Sequence, residues 1–386
     1  MVVNIQKKRR FMISEIKETK IRHLNIPNDK RIIFVSDIHG DLETFKMGLE
    51  EIGYTDNDYL FLIGDIFEKG DLGCCLKTLE YVIELDKKNK NFYPMAGNCD
   101  EVFRFIIPED SDDKLSLYLN VKKHSILNDI ALKENLEVSN DMDLKRFKKI
   151  VFDKYKYLVD FTDKLDDVIF INDKLVLVHA GLDDINNIPK NALEVLKYDN
   201  FYKVGKPQEK IMIVGHYPTR NYRNDVFCCN PIFDYDKKIF SIDGGNHVSK
   251  GGQINFVILD NLNDFNFSFK AFDHYPKYEV KCDIKYQNQK NKLSINYDDN
   301  EVDIIAEDLD YYLVRHKKTK VELWCHKSSI YLSDDYKYYA YDSTNLFMSL
   351  NKGDLISIII KANPYSVIKH DGYVGMIETK YLNYED

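Results

Sequence analysis

Six side chains able to bind a metal sit at the ends of apolar runs. Asp37 and His39 close RIIFVSDIHG, Asp65 closes YLFLIGD and Asn98 closes NFYPMAGN. His179 closes LVLVHAG, and His216 closes IMIVGH. Three oxygen donors and three neutral imidazoles suit two divalent ions of the Mn, Fe, Co, Ni or Zn kind better than Mg or Ca. Two such ions ~3.5–4 Å apart hold a hydroxide between them by lowering the pKa of its parent water, which is hydrolytic chemistry. Taken singly, an Asp or Asn at a strand end reads as a cap or turn former. A lone His on an apolar strand reads as a satisfied core residue. Five deliveries of the same chemistry in one chain read as a metal site.

Each run is rich in β-branched and aromatic residues, so each reads as a buried strand whose polar residue falls where the strand becomes loop. In an open α/β sheet, loops outside the carboxyl ends of the strands form the ligand crevice. Helices must return the chain between these strands. Leu42, Phe45, Leu49 and Ile52 in LETFKMGLEEIG have helical spacing, with Gly53 as the stop. LGCCLKTLEYVIELDKK has the same character. Residues 109–167 are charged with scattered apolar positions and read as a helical insert between the Asn98 and His179 strands. DDVIFINDKLVLVHAGL reads as a hairpin turning at Asn172-Asp173. KKIFSIDGG and QINFVILDN supply closing strands. Residues 1–30 lean basic and read as a solvated arm, 31–275 as the metal-binding domain and 276–386 as a β-rich domain.

The ordered set SDIHGD, GDIFEKG, GNCD, HAGL, GHYPT and SIDGG resembles the calcineurin-like metallophosphoesterases. Within them it is most similar to the bacterial branch of the phosphoprotein phosphatases, which includes diadenosine-tetraphosphatase-like enzymes. The resemblance spans roughly residues 31–262. It implies an α/β fold, a β-sandwich flanked by helices with a dinuclear metal centre at one edge. It further implies a first metal held by Asp37, His39 and Asp65, with Asp65 bridging to a second held by Asn98, His179 and His216. Mn is the first choice of metal, with Fe, Zn, Co or Ni as alternatives. The implied reaction is in-line attack of a metal-bridging hydroxide on phosphorus, with a phosphorylated protein or small molecule as substrate.

The sequence departs from the family at the neighbours of the metals. Where relatives carry Gly-Asn-His, whose His protonates the leaving group, this chain has Cys99; their Asp-Arg-Gly segment is Glu68, Lys69 and Gly70. Cys99 and Glu68 therefore stand where the acid dyad belongs. A thiol with an ordinary pKa of ~8.5 is a poor substitute for an imidazolium. Lys69 takes a phosphate-binding position, but as a point charge it cannot grip two oxygens as a guanidinium does. Arg220, with Arg223 and Arg104 behind it, is the candidate to compensate. Phosphomonoester hydrolysis is the leading expectation, followed by a phosphodiester or dinucleoside polyphosphate as substrate, and then by a phosphatase-fold binding or scaffold protein. His247 lies close enough to SIDGGN to stay near the site, whereas His124, His274, His316, His326 and His370 read as surface residues.

The tail LNKGDLISIIIKANPYSVIKHDGYVGMIETKYL resembles a Src-homology-3-like small β-barrel, carried by Lys352-Gly353-Asp354, Asp371-Gly372 and the Gly375-Met376-Ile377 ending. Tyr336, Tyr338, Tyr339 and Tyr341 offer that barrel an aromatic groove for a peptide ligand. A net charge of −9 argues against a nucleic-acid partner. No stretch approaches the ~20 apolar residues of a membrane span. Seven cysteines without a Cys-x-x-Cys pair fit free thiols in a reducing cytoplasm.

Overall fold

The computed structural model describes residues 17–382 apart from residues 109 and 288. Its strands begin with β1 (Ile21–Leu24), β2 (Ile32–Val35), β3 (Tyr59–Ile63), β4 (Phe92–Met95), β5 (Val168–Ile171) and β6 (Leu175–Val178). There follow β7 (Ile211–Val214), β8 (Phe227–Cys228), β9 (Ile232–Asp234), β10 (Ile239–Ser241), β11 (Ile254–Leu259) and β12 (Phe267–Phe272). One sheet runs β1-β5-β6-β7-β10-β9 and a second runs β12-β11-β2-β3-β4. Within the second, β2, β3 and β4 are parallel neighbours, so their carboxyl ends open on the same edge. In the first sheet β6, β7 and β10 are likewise parallel.

Alternation along each strand divides the apolar residues between two cores. Ile32, Phe34, Phe61 and Ile63 face Ile169, Leu175, Leu177 and Ile213 of the other sheet, forming the sandwich interior. Ile33, Val35, Leu60 and Leu62 point the opposite way, into a core shared with the helices. Helix α1 (Leu42–Glu51) buries Leu42, Phe45 and Leu49, is capped by Asp41 and stops before Gly53 at φ +64°. Helix α2 (Cys74–Lys88) buries Leu76, Leu79, Val82 and Ile83, and Lys87 and Lys88 in its last turn oppose the helix dipole favourably. The insert is helical, with α3 (Val102–Ile106), α4 (Asp112–Val121), α5 (Ile126–Lys133), α6 (Leu144–Lys154) and α7 (Lys156–Thr162). Asn172 and Asp173 both adopt positive φ between antiparallel β5 and β6, as a tight hairpin turn requires.

Two expectations need correction, and a third is not confirmed. Residues 17–24 are not a solvated arm. Lys17 is 2% exposed, with its Nζ 2.5 Å from Glu101 Oε1 and 2.9 Å from Asp167 Oδ1, and β1 pairs in parallel with β5. The remainder of the arm, residues 1–16, lies outside the described residues. The small-barrel resemblance is not confirmed. The tail strands Leu355–Ile360, Tyr365–His370 and Tyr373–Glu378 do form an antiparallel meander, with a turn at Asp371-Gly372. That sheet, however, has Lys277–Glu279 at one edge and β8, from the first domain, at the other. A further five-stranded antiparallel sheet gathers Glu301–Asp308, Tyr311–His316, Glu322–His326, Ile330–Leu332 and Tyr338–Ala340. On it the Tyr339 hydroxyl donates to Asp335 and that of Tyr341 to the Ser328 carbonyl, while Tyr336 sits exposed at a turn. His316 is no surface residue either: it is buried between Thr319 and the Asp299 carbonyl. All seven cysteines are free, and no helix among the described residues is long and apolar enough to cross a membrane.

Candidate metal centre

The loops leaving β2, β3 and β4 in one sheet meet those leaving β6 and β7 in the other, and backbone hydrogen bonds stitch them together. Asp37 N–H donates to the Gly64 carbonyl, His39 N–H to that of Asp65, and Gly215 N–H to that of His179. Asp100 bridges two loops by accepting from Ile66 N–H at 2.8 Å and Gly97 N–H at 2.9 Å. The approach is close enough to require glycine twice. A Cβ on Gly97 would lie 2.1 Å from the Asp65 nitrogen, and one on Gly215 would lie 1.8 Å from Ser36 Oγ. Asp37, His39, Asp65 and His216 all have φ between +47° and +67°. Such conformations cost energy for residues other than glycine and persist where the surroundings over-determine them, as functional sites do.

The hydrogen bonds set each ring's tautomer. His39 Nδ1 donates to the Glu68 carbonyl at 3.0 Å and His179 Nδ1 to that of Ile63 at 2.9 Å. Burial pushes both imidazoles below their ordinary pKa, so both are neutral and each Nε2 carries a lone pair. His39 Nε2 lies 3.7 Å from Asp65 Oδ2 and 3.8 Å from Asp37 Oδ1, a buried oxygen with no hydrogen-bond partner. His179 Nε2 lies 3.3 Å from Asp65 Oδ1 and 3.2 Å from Asn98 Oδ1. His216 joins Asp65 and His179 in a cluster whose ligand atoms lie within 4.8 Å of one another. Asp65 thus presents one oxygen to each group. The donor set of carboxylate, amide oxygen and imidazole that converges here fits divalent transition metals.

Two further carboxylates, Asp199 and Asp243, lie beside these side chains. Asp199 Oδ1 lies 2.9 Å from His216 Nε2, which leaves Nδ1 as the ring's other ligand atom. Carboxylate partners of this kind fix ring orientation, so Asp199→Ala should weaken metal affinity by roughly 10–100-fold. A metal-binding titration reads this directly, and unchanged affinity would remove Asp199 from the shell. Asp243, which ends SID, is fully buried, and its Oδ1 accepts from Gly245 N–H at 2.6 Å. Burial, then the nearby Asp37, raises its pKa well above the carboxylate range.

The residues beside the candidate ligands take up different positions from those the sequence suggests. Glu68 is buried, and its carboxylate accepts from the Tyr118 hydroxyl and, at 3.0 Å, from Ile126 N–H rather than engaging Cys99. Burial pushes Glu68 up to about 7 and the Cys99 thiol well above its ordinary value. Cys99 N–H donates to Asp65 Oδ1 at 2.8 Å. Lys69 does enter the site, with Nζ 3.2 Å from His39 Nε2 and 3.9 Å from Asp65 Oδ2. Burial opposes its charge, but the acidic groups gathered around it outweigh that penalty and raise its pKa, so the ammonium stays protonated. Arg220 is the clear correction. It is 3% exposed, its guanidinium pairs with Asp342 and the Ile295 carbonyl, and its Cζ stacks 4.3 Å from the Phe227 ring centre. Arg223 is occupied by the carbonyls of Thr219, Cys228 and Asn230.

Without metal, the acidic cluster has a pH signature. Burial, then Asp65, pushes Asp37 up to about 8, against 3.8 when unfolded. Between those values the folded protein binds more protons than the unfolded chain, as it also does at Glu68, so stability falls as pH rises. The depressed histidines act in the opposite sense, but only below their unfolded value of 6.5. Metal-stripped protein should therefore lose melting temperature from about pH 6.5 to pH 8, and loading with Mn should restore most at the alkaline end. A melting temperature that rises over this interval would contradict the buried carboxylate cluster.

The calcineurin-like phosphoesterase family model matches residues 30–243, more than half of the chain. Three curated proteins are similar over parts of it. The asymmetrical bis(5'-nucleosyl)-tetraphosphatase of Halalkalibacterium halodurans is 24% identical over 42% of this chain and 63% of its own. The symmetrical bis(5'-nucleosyl)-tetraphosphatase of Buchnera aphidicola is 26% identical over 43% of this chain and 51% of its own. Shewanella-like protein phosphatase 1 of Plasmodium berghei is 29% identical over 27% of this chain and 33% of its own. The chain therefore spans less than two thirds of the length of each of these relatives.

Proposed function

The chain belongs to the calcineurin-like phosphoesterase family, and from that premise we propose that it is a dinuclear metal-dependent hydrolase of phosphate substrates, with a dinucleoside polyphosphate or similar phosphoanhydride as the best fit. The convergence of Asp37, His39, Asp65, Asn98, His179 and His216 on two lone-pair pockets that share Asp65 supports the first part. Bound there, two divalent ions would supply a hydroxide nucleophile at neutral pH and draw charge from the phosphoryl oxygens. Asp37 and His39 would hold one ion and Asn98, His179 and His216 the other, with Asp65 between them and Asp199 orienting His216. Lys69, charged and directed at the same centre, would bind a phosphoryl oxygen as a point charge.

The state of the acid dyad supports the choice of substrate. Cys99 is a half-buried thiol whose desolvation raises its pKa well above the ordinary value, and Glu68 is engaged by Tyr118 and Ile126. A group of this kind transfers a proton poorly at neutral pH, since efficient general acids titrate near the working pH. A phosphate leaving group needs little protonation, whereas the alkoxide of an alkyl monoester needs much. This moves the weight from the monoester expected from motif order to an anhydride, in keeping with two bis(5'-nucleosyl)-tetraphosphatases among the relatives. The monoester remains the second reading, supported by Lys69, whose ammonium suits a terminal phosphoryl dianion.

Diadenosine tetraphosphate, para-nitrophenyl phosphate, its bis-ester and an alkyl phosphate, each assayed under Mn, Co and Ni, test this. Turnover should be fastest on the tetraphosphate and slowest on the alkyl ester. Cys99→His should raise the alkyl rate by ~10²-fold or more, the size of a general-acid effect, and leave the tetraphosphate rate nearly unchanged. Equal gains on both would mean that position 99 is not where the proton is supplied. No turnover of any substrate would favour a binding protein.

A further inference from the structure

A second constellation lies outside the six-residue centre and shares no residue with it. Asp41 caps α1, and its Oδ1 accepts from Thr44 N–H at 3.1 Å, which fixes the carboxylate. Its Oδ2 faces the other way, 3.0 Å from His274 Nδ1 and 3.7 Å from His247 Nε2. The two imidazoles stack with centroids 5.0 Å apart and an interplanar angle of 25°. The three residues each bring one ligand atom, all within 4.8 Å of one another. They come from distant parts of the chain: the start of α1, the loop after β10 and the segment leaving β12.

We propose that Asp41, His247 and His274 form a further divalent-metal site of the zinc class, separate from the dinuclear centre. A hydrogen-bonded Asp–His pair would need only His274. The second ring is stacked on the first and aimed at the same oxygen from 3.7 Å, too far for a hydrogen bond. Zinc bonds of ~2.0–2.2 Å in tetrahedral geometry place neighbouring ligand atoms ~3.3–3.4 Å apart, and the two measured separations fall either side of that spacing. His247 is held in position with φ at +52°, uncommon outside glycine. Asn246, fully buried, donates through Nδ2 to the Ile38 carbonyl at 3.0 Å and reaches Asp41 Oδ2 at 3.4 Å, the kind of outer contact that orients a ligating carboxylate. The His274 side chain is 38% exposed, so an ion can enter and a water can complete the fourth position. Two nitrogens and one oxygen favour Zn, Cu, Ni or Co over Mn, which stands lowest in affinity for such sites. The bound ion would tie the loop that follows Asp243, and the chain leaving β12, to the turn that follows His39.

The test loads the full-length chain with zinc, dialyses it against metal-free buffer and counts retained ions by mass spectrometry. Wild type should hold one equivalent more than Asp41→Asn, His247→Gln or His274→Gln. Asn is also a good helix cap, so Asp41→Asn removes the anionic ligand without releasing α1. X-ray absorption of the additional zinc should show imidazole ligation that is lost in both His variants. The difference of one equivalent is read whether or not the six-residue centre holds two ions, so failure of the dinuclear reading lowers every count and leaves the difference intact. Equal zinc in wild type and all three variants overturns the proposal.

Discussion

Asp65→Asn should lower hydrolysis by at least ~10³-fold, a loss of ~4 kcal/mol of transition-state stabilisation. The two carboxylate oxygens of Asp65 face different histidines. Oδ1 lies 3.3 Å from His179 Nε2, Oδ2 lies 3.7 Å from His39 Nε2, and among the described residues no other carboxylate pairs with both histidines. An amide has one oxygen and one N–H₂, so the variant would turn a donor toward one metal pocket and remove the negative charge shared by both. Asp65 is also held in a left-handed conformation and accepts from Cys99 N–H, so the substitution perturbs the GNCD loop less than a truncation would. Steady-state kinetics with folding verified by circular dichroism reads the effect. Turnover within tenfold of wild type would remove Asp65 from the bridging role.

Arg220→Met should cost about 3–5 kcal/mol of stability, because it leaves Asp342 charged and buried without its partner. Arg220 lies just beyond the GHYPT segment, and its partners are Ile295, in the short strand Ser294–Ile295, and Asp342, in the bend before Ser343–Thr344. Asp342 also accepts from Lys250 N–H at 2.8 Å, so one buried carboxylate holds two loops of the first domain. Pairing the change with Asp342→Leu should recover most of the loss, since a buried ion pair is often replaceable by apolar side chains. Urea unfolding of the single and double variants measures both effects. Had Arg220 been a phosphate ligand, the single change would raise KM and leave stability intact; that outcome would reverse the assignment made here.

The convergence of the six candidate ligands was legible for a one-dimensional reason: each terminates an apolar run, and parallel strands deliver their carboxyl ends to one edge. The helices α1 and α2 were legible through the spacing of their buried residues. What the sequence hid depends on partners far away along the chain. Lys17 looks like a solvated charge until Glu101 and Asp167, separated from it by 84 and 150 residues, close around it. Arg220 sits beside a motif and looked like a clamp, yet Asp342 is 122 residues away. Asp199 and His274 lie in segments without periodicity, where no pattern says which way a side chain will face. The small barrel is not confirmed because its turn residues and meander are local signals, whereas the make-up of the sheet depends on its neighbours. Here β8 pairs with the last strand of the meander.

The central claim is that two ions share Asp65. Electron paramagnetic resonance of Mn-loaded protein tests it most directly, because two Mn ions bridged by one carboxylate couple magnetically and isolated ions do not. The arrangement of Asp37, His39, Asp65, Asn98, His179 and His216 predicts an exchange-coupled spectrum at saturating Mn that collapses to the isolated-ion spectrum in Asp65→Asn. An isolated-ion spectrum from the wild-type protein at saturation would contradict it.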